Sequence, residues 1–194
     1  RPTTAVVTLR RTFTGTFNIV PRDPSNPNLP NASLVIKKPL EDLWVRRFLL
    51  KRVAAGPGTS VIWRLAASSA VEVTAKNATT VLTSVRLQTA TKDTTLTDPM
   101  AFIHLRRVLR FAAEDTVTVT VTTPRNDDVV LLYLHDRRVP FTSNGDGTYT
   151  RKFFAGVFSG WRHFGVNALS HGTLFDDAAA YDSKAWIVPY VVVG

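Results

Sequence analysis

The clearest hydrophobic pattern of this chain lies in its second half, where Thr and Val alternate without interruption from Thr116 to Thr122. Successive side chains of a β-strand point to opposite faces, so this pattern predicts a strand with Val117, Val119 and Val121 on one buried face. The continuous apolar run Val129–Leu134 follows it and is typical of a central strand that is buried on both sides. Both patterns predict a β-sheet core.

Further strand patterns in the second half alternate with turn-forming residues. The Asn-Gly-Asp-Gly sequence at residues 144–147 predicts a hairpin turn, because Asn and Gly tolerate positive φ angles. Strand patterns also cover residues 149–154, 161–168 and 185–193. Strands and turns at this spacing suit a sandwich or a barrel, and no segment requires a helix.

The first half of the chain has weaker patterns. Residues 5–20 mix apolar residues with Thr and Arg and are strand-like, whereas Pro21–Asn31 holds four Pro and three Asn and is predicted to be a loop. A short strand closed by Pro39 is expected over residues 33–38. Three further strand patterns cover residues 60–66, 70–75 and 80–88.

Two segments, residues 40–53 and residues 101–112, fit a helix as well as a strand. In both, apolar residues recur at helical spacing but also alternate, and Arg107 interrupts the alternation in the second. Their place among strand patterns favours a strand for both.

Composition supports an all-β fold. The chain has 25 Thr and 24 Val among its 194 residues, and β-branched side chains suit pleated strands. Only three acidic residues are Glu, a helix former, while the other twelve are Asp, which prefers turns. The expected fold is a β-sandwich with two β subdomains, residues 1–95 of unrecognised type and residues 96–194, divided near the polar segment 91–97.

Charge and cysteine content exclude several classes of protein. The chain has no Cys, which removes disulfide scaffolds, Cys-ligated metal centres and thiol nucleophiles. No apolar run reaches the roughly 20 residues of a membrane-spanning helix. The net charge of +9 comes from scattered basic pairs whose members point to opposite faces of a strand, so it does not favour nucleic acid as a partner. Residues at a protein interface are instead expected to be Arg106, Arg107, Arg137 and Arg138.

The residues that catalysis would require do not form a recognisable set. No Gly-x-Ser-x-Gly elbow and no phosphate-binding Gly loop occur. His135 and Asp136 resemble an acid–base pair, but adjacent residues of a strand point apart and cannot cooperate directly. We therefore predict a protein that is not an enzyme, with no catalytic residue, no cofactor and no metal.

The segment from His171 to Ser183 is the most unusual part of the sequence, because it is a long, acidic and aromatic loop before the last strand. One interpretation is a calcium site formed by its Asp residues, and another is a glycan platform formed by its aromatic rings together with Trp186. A third, favoured interpretation is a plain loop whose aromatic residues pin it to the sandwich. The four Trp of the chain are expected in the core. Candidate binding residues are His171, Phe175, Asp176, Asp177, Tyr181, Asp182 and Trp186.

The second half of the chain resembles a known type of domain. The alternating Val strand at 116–122, the apolar run 129–134, the Gly-Asp-Gly-Thr-Tyr sequence at 145–149 and the strand 161–168 are similar to parts of an immunoglobulin-like β-sandwich module. Such modules recur in secreted, cell-surface and phage surface proteins. The resemblance implies an immunoglobulin-like or jelly-roll-type sandwich, without the inter-sheet Cys pair of antibody domains.

Two functions follow as expectations. The first is a non-enzymatic structural or adhesive protein of an extracellular, cell-surface or virion assembly, which contacts copies of itself or other subunits. Arg suits such a role because its planar head forms paired hydrogen bonds and its stem covers apolar surface. The alternative is a carbohydrate-binding module or an accessory domain of a secreted glycoside hydrolase, with a glycan as its ligand.

Overall fold

The computed structural model describes residues 2–23, 26–31, 34–54, 61–134 and 137–194. Strands dominate this part of the chain, together with one 3-10 turn (Leu105–Arg107) and one short helix, α1 (His171–Phe175). In chain order the strands are β1 (Thr4–Ile19), β2 (Arg22–Asp23), β3 (Asn26–Pro30), β4 (Ile36–Ala54), β5 (Val61–Ala75), β6 (Ser84–Gln88), β7 (Asp93–Leu96), β8 (Ile103–His104), β9 (Leu109–Ala112), β10 (Thr116–Thr122), β11 (Val129–Leu134), β12 (Arg137–Pro140), β13 (Thr142–Ser143), β14 (Thr148–Phe154), β15 (Gly160–Leu169) and β16 (Ser183–Val193).

Two sheets face each other, as the sequence predicted for an all-β sandwich. The large sheet has the order β1-β4-β5-β16-β15-β11-β12, and β8 and β9 add to it beside β5 and β16. The small sheet has the order β13-β14-β10-β6-β7. All pairings in both sheets are antiparallel except that of β9 with β16. The described part of the chain thus folds as an all-β sandwich.

The core lies between the two sheets and follows directly from alternation along the strands. Val117, Val119 and Val121 of β10 are fully buried, as predicted from the Thr–Val repeat. From the large sheet, Phe164 of β15 and Tyr190 of β16 pack against them within one cluster. The two sheets are held together by the burial of these side chains. Such burial stabilises a domain by about 25 cal/mol for each Å² of apolar surface removed from water.

Strand pairing links the two halves of the sequence. β6, before residue 95, pairs with β10, and β5 pairs with β16, the last strand of the chain. The subdomain boundary between residues 95 and 96 stays a prediction.

Several predictions of local structure are wrong in the first half. Pro21–Asn31 is not simply a loop, since β2 and β3 pair within it and the Asn31 amide donates to the Pro21 carbonyl at 2.7 Å. Pro39 does not close a strand, because β4 continues through it. Residues 40–53 are strand, as their context predicted.

The second half has two local departures from prediction. Within residues 101–112, the expected strand is broken by the 3-10 turn at Leu105–Arg107. The loop before the last strand contains α1, where no helix was expected. The predicted strands at 116–122, 129–134 and 149–154 lie where expected, although the residues of β11 alternate in burial and are not buried on both sides.

The four Trp do not share one environment. Trp186 is in the core, as predicted, but Trp161 is 61% exposed and Trp63 is 45% exposed. Trp44 is half-buried. The prediction of core Trp is therefore wrong for Trp63 and Trp161, because both lie on the face of the large sheet that is turned away from the small sheet.

Candidate functional site

One face of the large sheet lies away from the small sheet and is here called the outer face. Its side chains alternate along the strands with the core residues and include Val73 of β5, Tyr133 of β11, His163 of β15, and Ile187 and Pro189 of β16. On β11, β15 and β16, residues next to them in the sequence belong to the core cluster, such as Leu132, Phe164 and Val188. Segment 170–182, which holds most of the candidate binding residues, packs against one end of this face.

Segment 170–182 is closed by its own hydrogen bonds. The Ser170 hydroxyl caps α1 by accepting from the Thr173 amide at 3.1 Å, and the Ser170 amide donates to the Asp182 carbonyl at 3.2 Å. The buried Thr173 hydroxyl accepts from the Asp182 amide at 2.9 Å. The two ends of the segment are therefore joined, and a short helix forms between them.

Lys38 of β4 attaches this segment to the large sheet. Only 3% of Lys38 is exposed, and its ammonium donates to the carbonyls of Gly172 at 3.0 Å, Asp176 at 2.6 Å and Ala179 at 2.7 Å. An ammonium group has three donors, and here one meets a carbonyl oxygen within α1 and two meet carbonyl oxygens of the residues that follow it. A buried lysine is thus satisfied by backbone groups alone.

Tyr181 makes a second attachment to the outer face. Its ring lies 5.1 Å from the ring of Phe17, and its hydroxyl donates to Oδ2 of Asp42 at 3.2 Å. Burial raises the pKa of Tyr181 to about 12. Burial also raises the pKa of Asp42, against the opposing effect of the Tyr181 hydrogen bond.

Asp182 makes a third attachment, to the chain before β6. Its carboxylate accepts from the amides of Thr79 and Thr80, both at 3.0 Å, and from the Thr79 hydroxyl at 2.6 Å. Arg125 lies 3.8 Å away. Burial opposes ionisation of Asp182, but these hydrogen bonds outweigh it and lower its pKa.

The remaining candidate binding residues do not converge with these. His171, Phe175, Asp176 and Asp177 are exposed, and Phe175, at 65% exposed, stacks on the ring of His171 at 4.6 Å. Trp186 points into the core on the opposite face of the sheet. Tyr181 pins the segment to the sandwich, as the plain-loop interpretation expects, but Phe175 does not.

The described residues contain no group of three or more His, Cys, Asp or Glu arranged to hold a metal ion. The Asp176 carboxylate instead accepts from the Ala178 amide at 2.9 Å, as in an ordinary turn. His135 and Asp136, considered above as an acid–base pair, lie outside the described residues. None of the helices that the structure describes has the length and apolar character needed to cross a bilayer.

The four predicted interface arginines are all exposed, at two separate places. Arg106 and Arg107 lie in the 3-10 turn, and Arg137 and Arg138 lie on the edge strand β12. The Arg138 guanidinium stacks on the ring of Tyr133, 4.6 Å from its centroid, which places Arg138 beside the outer face.

A cavity of about 300 Å³ opens on the outer face where segment 170–182 meets the sheet. Its walls include the rings of Phe17, Tyr133 and Tyr181. Gly165 lies in its floor, and a Cβ atom there would lie 3.0 Å from the Cβ of Tyr133. A glycine at this position therefore keeps the cavity open.

Two of the residues that line this cavity, Asp42 and Asn167, each have one oxygen atom that is enclosed by protein and has no partner. Oδ1 of Asp42 and Oδ1 of Asn167 are buried, and neither makes a hydrogen bond. A buried acceptor without a donor costs about 1–3 kcal/mol. We call this cavity, with its aromatic walls, the Asp42 pocket.

The second feature of the outer face is an arm formed by three long strands. It consists of residues 4–9 of β1, 46–53 of β4 and 62–65 of β5, which pair with one another. β16 pairs with β5 only at residues 71–74, so the arm extends beyond the sandwich. At about 3.3 Å per residue, an arm of six to eight residues is roughly 20–25 Å long.

Both faces of the arm carry exposed apolar side chains. Val7, Trp63 and Leu65 are 46%, 45% and 41% exposed and continue the outer face of the large sheet. Val6 and Ile62 are 51% and 38% exposed on the other side. Along its other edge β1 has no strand partner among the described residues.

Neither the Asp42 pocket nor the arm is among the features predicted from the sequence. The arm had a detectable signal, because strand patterns in residues 5–20 and 40–53 are far longer than the usual five or six residues. The pocket had none, because it is formed by residues from β1, β4, β11, β15 and the segment after α1.

Comparisons of the chain with protein-family models, with curated proteins and with solved structures gave no match. Function must therefore be inferred from the arm, the outer face and the Asp42 pocket themselves.

Proposed function

We propose that this chain is a non-enzymatic structural or adhesive protein of an extracellular, cell-surface or virion assembly, which acts through protein–protein contacts with copies of itself or with other subunits. The observation that carries this proposal is the arm. Its three paired strands have exposed apolar residues on both faces and no covering layer in the described part of the chain. Exposed apolar surface of this kind is typical of a protein interface.

The free edge of β1 supports the same function. An edge strand presents a row of unpaired amide and carbonyl groups that readily pair with a strand of another chain. β1 is 16 residues long and pairs with β4 along its whole length, so its other edge is equally long. Natural proteins normally keep edge strands short, bulged or covered, and a long free edge is therefore unusual unless a partner pairs with it.

The immunoglobulin-like type of the sandwich belongs to the same proposal. It is supported by the sequence pattern of residues 116–168 and by the two facing sheets built around β10 and β15. In this proposal, the edge of β1 and the exposed arginines at β12 supply the contacts between modules.

The test is sedimentation of the protein at micromolar concentrations, in low and in high salt. We expect a mass that rises with concentration and a weaker association in high salt, because salt screens the contribution of Arg contacts. The substitution Leu65→Lys on the arm should reduce association at least about tenfold, since it places a charge in the apolar contact. A monomer under all conditions would contradict the proposal.

A matched control is available off the arm. Val81, at 48% exposed, precedes β6 and is as accessible as Leu65. Val81→Lys adds the same charge and should leave association unchanged. Equal effects of the two substitutions would show that net charge, and not the arm, governs association.

A second candidate function rests on aromatic residues of the outer face. Trp44 and Trp161 line one shallow groove together with His163. Aromatic rings on one face suit the apolar faces of sugar rings, as in a carbohydrate-binding module or an accessory domain of a secreted glycoside hydrolase. A glycan array separates the two functions. If the protein binds a glycan, loses that binding in Trp161→Ala and stays monomeric in sedimentation, the result would favour this alternative.

A further inference from the structure

Another cavity of the outer face lies at the base of the arm. The pairing of β5 with β16 ends at Val71 and Ile187, and β8 pairs with β5 instead at Ala67 and Ser68. The cavity, which we call the Arg46 cavity, lies where these strands diverge and has a volume of about 270 Å³. Apart from Arg46 and Ser68, the residues that line it are apolar: Leu65, Ile103, Leu105, Val108, Trp161 and Pro189.

Arg46 brings a positive charge to this apolar lining, and no acidic residue accompanies it there among the described residues. Its Nε donates to the Ser68 hydroxyl at 2.9 Å, and its guanidinium lies 5.1 Å from the ring centroid of Phe48. Neither terminal amino group forms a hydrogen bond or an ion pair with a described residue, and neither is enclosed by protein. Burial lowers the pKa of Arg46, as expected for a half-buried cation that faces no anion. Two donors of one guanidinium are therefore free beside the cavity.

We infer that the Arg46 cavity binds a carboxylate with an unbranched alkyl chain, whose oxygens accept from the two free amino groups of Arg46 and whose chain lies among the apolar residues. This inference goes beyond the proposed assembly and does not depend on it. A guanidinium and a carboxylate are both planar and form two parallel hydrogen bonds. A phosphate head would present further oxygen acceptors, whereas the Ser68 hydroxyl already donates to the Ser69 carbonyl at 2.9 Å.

The places of the carboxylate and the chain adjoin each other. The Nε hydrogen bond holds the guanidinium of Arg46 at Ser68, and Ser68 pairs directly with Ile103 of β8. The guanidinium thus lies at the edge of the apolar lining, and no group of the ligand has to reach across the sheet.

The exposure and the size of the lining fit an alkyl chain. Trp161 is 61% exposed and Leu65 is 41% exposed, so a bound chain would remove apolar surface from water. The volume of about 270 Å³ corresponds to about nine water molecules at ~30 Å³ each, and a methylene group takes up about as much space as a water molecule. A chain of about six to eight carbon atoms therefore fills the cavity.

The test is a titration of the protein with octanoate, followed by tryptophan fluorescence. It is compared with octanamide, which has a neutral head, with octylammonium, which has the opposite charge, and with propanoate, which has a short chain. We expect a saturable blue shift with octanoate, and at least about tenfold weaker binding of each of the other three. This comparison needs no variant. Equal binding of any of the three, or no saturable change with octanoate, would overturn the inference.

Two substitutions that remove the same charge localise the carboxylate. Arg46→Gln should weaken octanoate binding at least about tenfold, because it removes both free donors. Arg11→Gln acts on an exposed residue of the same face, which stacks on Trp44 at 5.9 Å and does not line the cavity, and it should have little effect. Unchanged affinity in Arg46→Gln, or equal weakening by the two substitutions, would contradict the inference.

Trp161→Phe localises the chain. This substitution keeps an apolar ring in the lining but removes the fluorophore, so the blue shift with octanoate should disappear. A blue shift that persists in Trp161→Phe would place the chain beside another Trp and contradict the inference.

The titration and the test of assembly fail independently of each other. The titration uses protein diluted below the range in which its sedimenting mass rises, and the arm proposal is decided by sedimentation of Leu65→Lys. Octanoate binding by a protein that stays monomeric at all concentrations would support the cavity and contradict the assembly. Association of a protein that does not bind octanoate would support the assembly and contradict the cavity.

Discussion

Lys38 and Asp182 are buried charged residues whose partners are mostly neutral. Lys38 donates to three backbone carbonyls, and Asp182 accepts from two threonines, with Arg125 farther away at 3.8 Å. Buried charges are usually stabilised by ion pairs or by dense hydrogen bonding. Here hydrogen bonding predominates, so the stability of segment 170–182 depends on the charge state and geometry of two side chains.

The substitution Asp182→Asn should destabilise the protein by about 1–3 kcal/mol at pH 7, because the Asn amide nitrogen cannot accept from the Thr79 hydroxyl. The pKa of Asp182 is lowered in the folded protein, so its ionised form contributes stability above its unfolded pKa of about 4. This contribution is lost as the pH falls through the folded pKa. The difference between the two proteins should therefore shrink below about pH 4. Thermal unfolding from pH 7 to pH 2.5 measures it.

The control for Asp182 is Asp177, an exposed residue of the same segment with no hydrogen bond to the loop before β6. Asp177→Asn should change the melting temperature by little at any pH in this range. If the difference in stability between Asp182→Asn and the unaltered protein stays constant down to pH 2.5, the ionised carboxylate of Asp182 does not supply that stability.

Neither Lys38 nor Asp182 could be assigned from the sequence. Lys37 and Lys38 are adjacent and identical, and only the strand register shows that Lys38 points toward segment 170–182. Asp182 lies more than a hundred residues from Thr79, so its partners depend on tertiary contacts. Single residues in a loop carry no periodicity, so the sequence shows only that the candidate binding residues are close along the chain, not which of them contact one another.

At the scale of whole elements, the sequence was most informative where one face is buried. The Thr–Val repeat located β10 to the residue, since alternation and burial have the same period. The loop prediction for Pro21–Asn31 is wrong because proline prevents only some ladder hydrogen bonds, and the two-stranded pair of β2 and β3 needs few.

Prolines inside long strands lie where a neighbouring strand is missing. Pro39 in β4 lies beyond the last pairing of β4 with β5, at Asp42 and Ala75. Pro189 in β16 lies between the end of its pairing with β5, at Ile187, and the start of its pairing with β9. At each proline, one side of the strand has no partner among the described residues that requires an amide donor, so the strand continues.

The segment with α1 provides a prediction at this scale. Lys38→Met keeps the length of the side chain and removes three hydrogen bonds, after which the carbonyls of Gly172 and Asp176 keep only a backbone amide as donor. We expect a loss of about 1–3 kcal/mol in the free energy of unfolding. Hydrogen exchange in residues 171–182 should become faster than in the unaltered protein, and by more than any change in β10. Lys37→Met, at an exposed neighbour, should change neither. Slow exchange in residues 171–182 of Lys38→Met would show that the other attachments suffice.

At the scale of the whole molecule, hydrophobic burial is unevenly distributed along the large sheet. The half nearest the small sheet shares the core cluster, which includes Phe164, Val188 and Tyr190. The arm has partly or fully exposed side chains throughout, so its strands are held together mainly by backbone hydrogen bonds and by cross-strand contacts. A long strand that pairs well but buries little is least stable at its far end.

This uneven burial predicts two levels of hydrogen exchange within one sheet. In dilute protein, amides of arm residues 4–9 and 62–65 should exchange at least about a hundredfold faster than those of β15 and β16, because local opening of the arm costs little apolar burial. Raising the concentration into the range of association should slow exchange in the arm and along the free edge of β1, while β15 remains unchanged. Mass-spectrometric exchange at two protein concentrations measures both effects. Equal protection of the arm and β15 in dilute protein would show that the arm is stable without a partner. If exchange in the arm does not depend on protein concentration, association uses another surface.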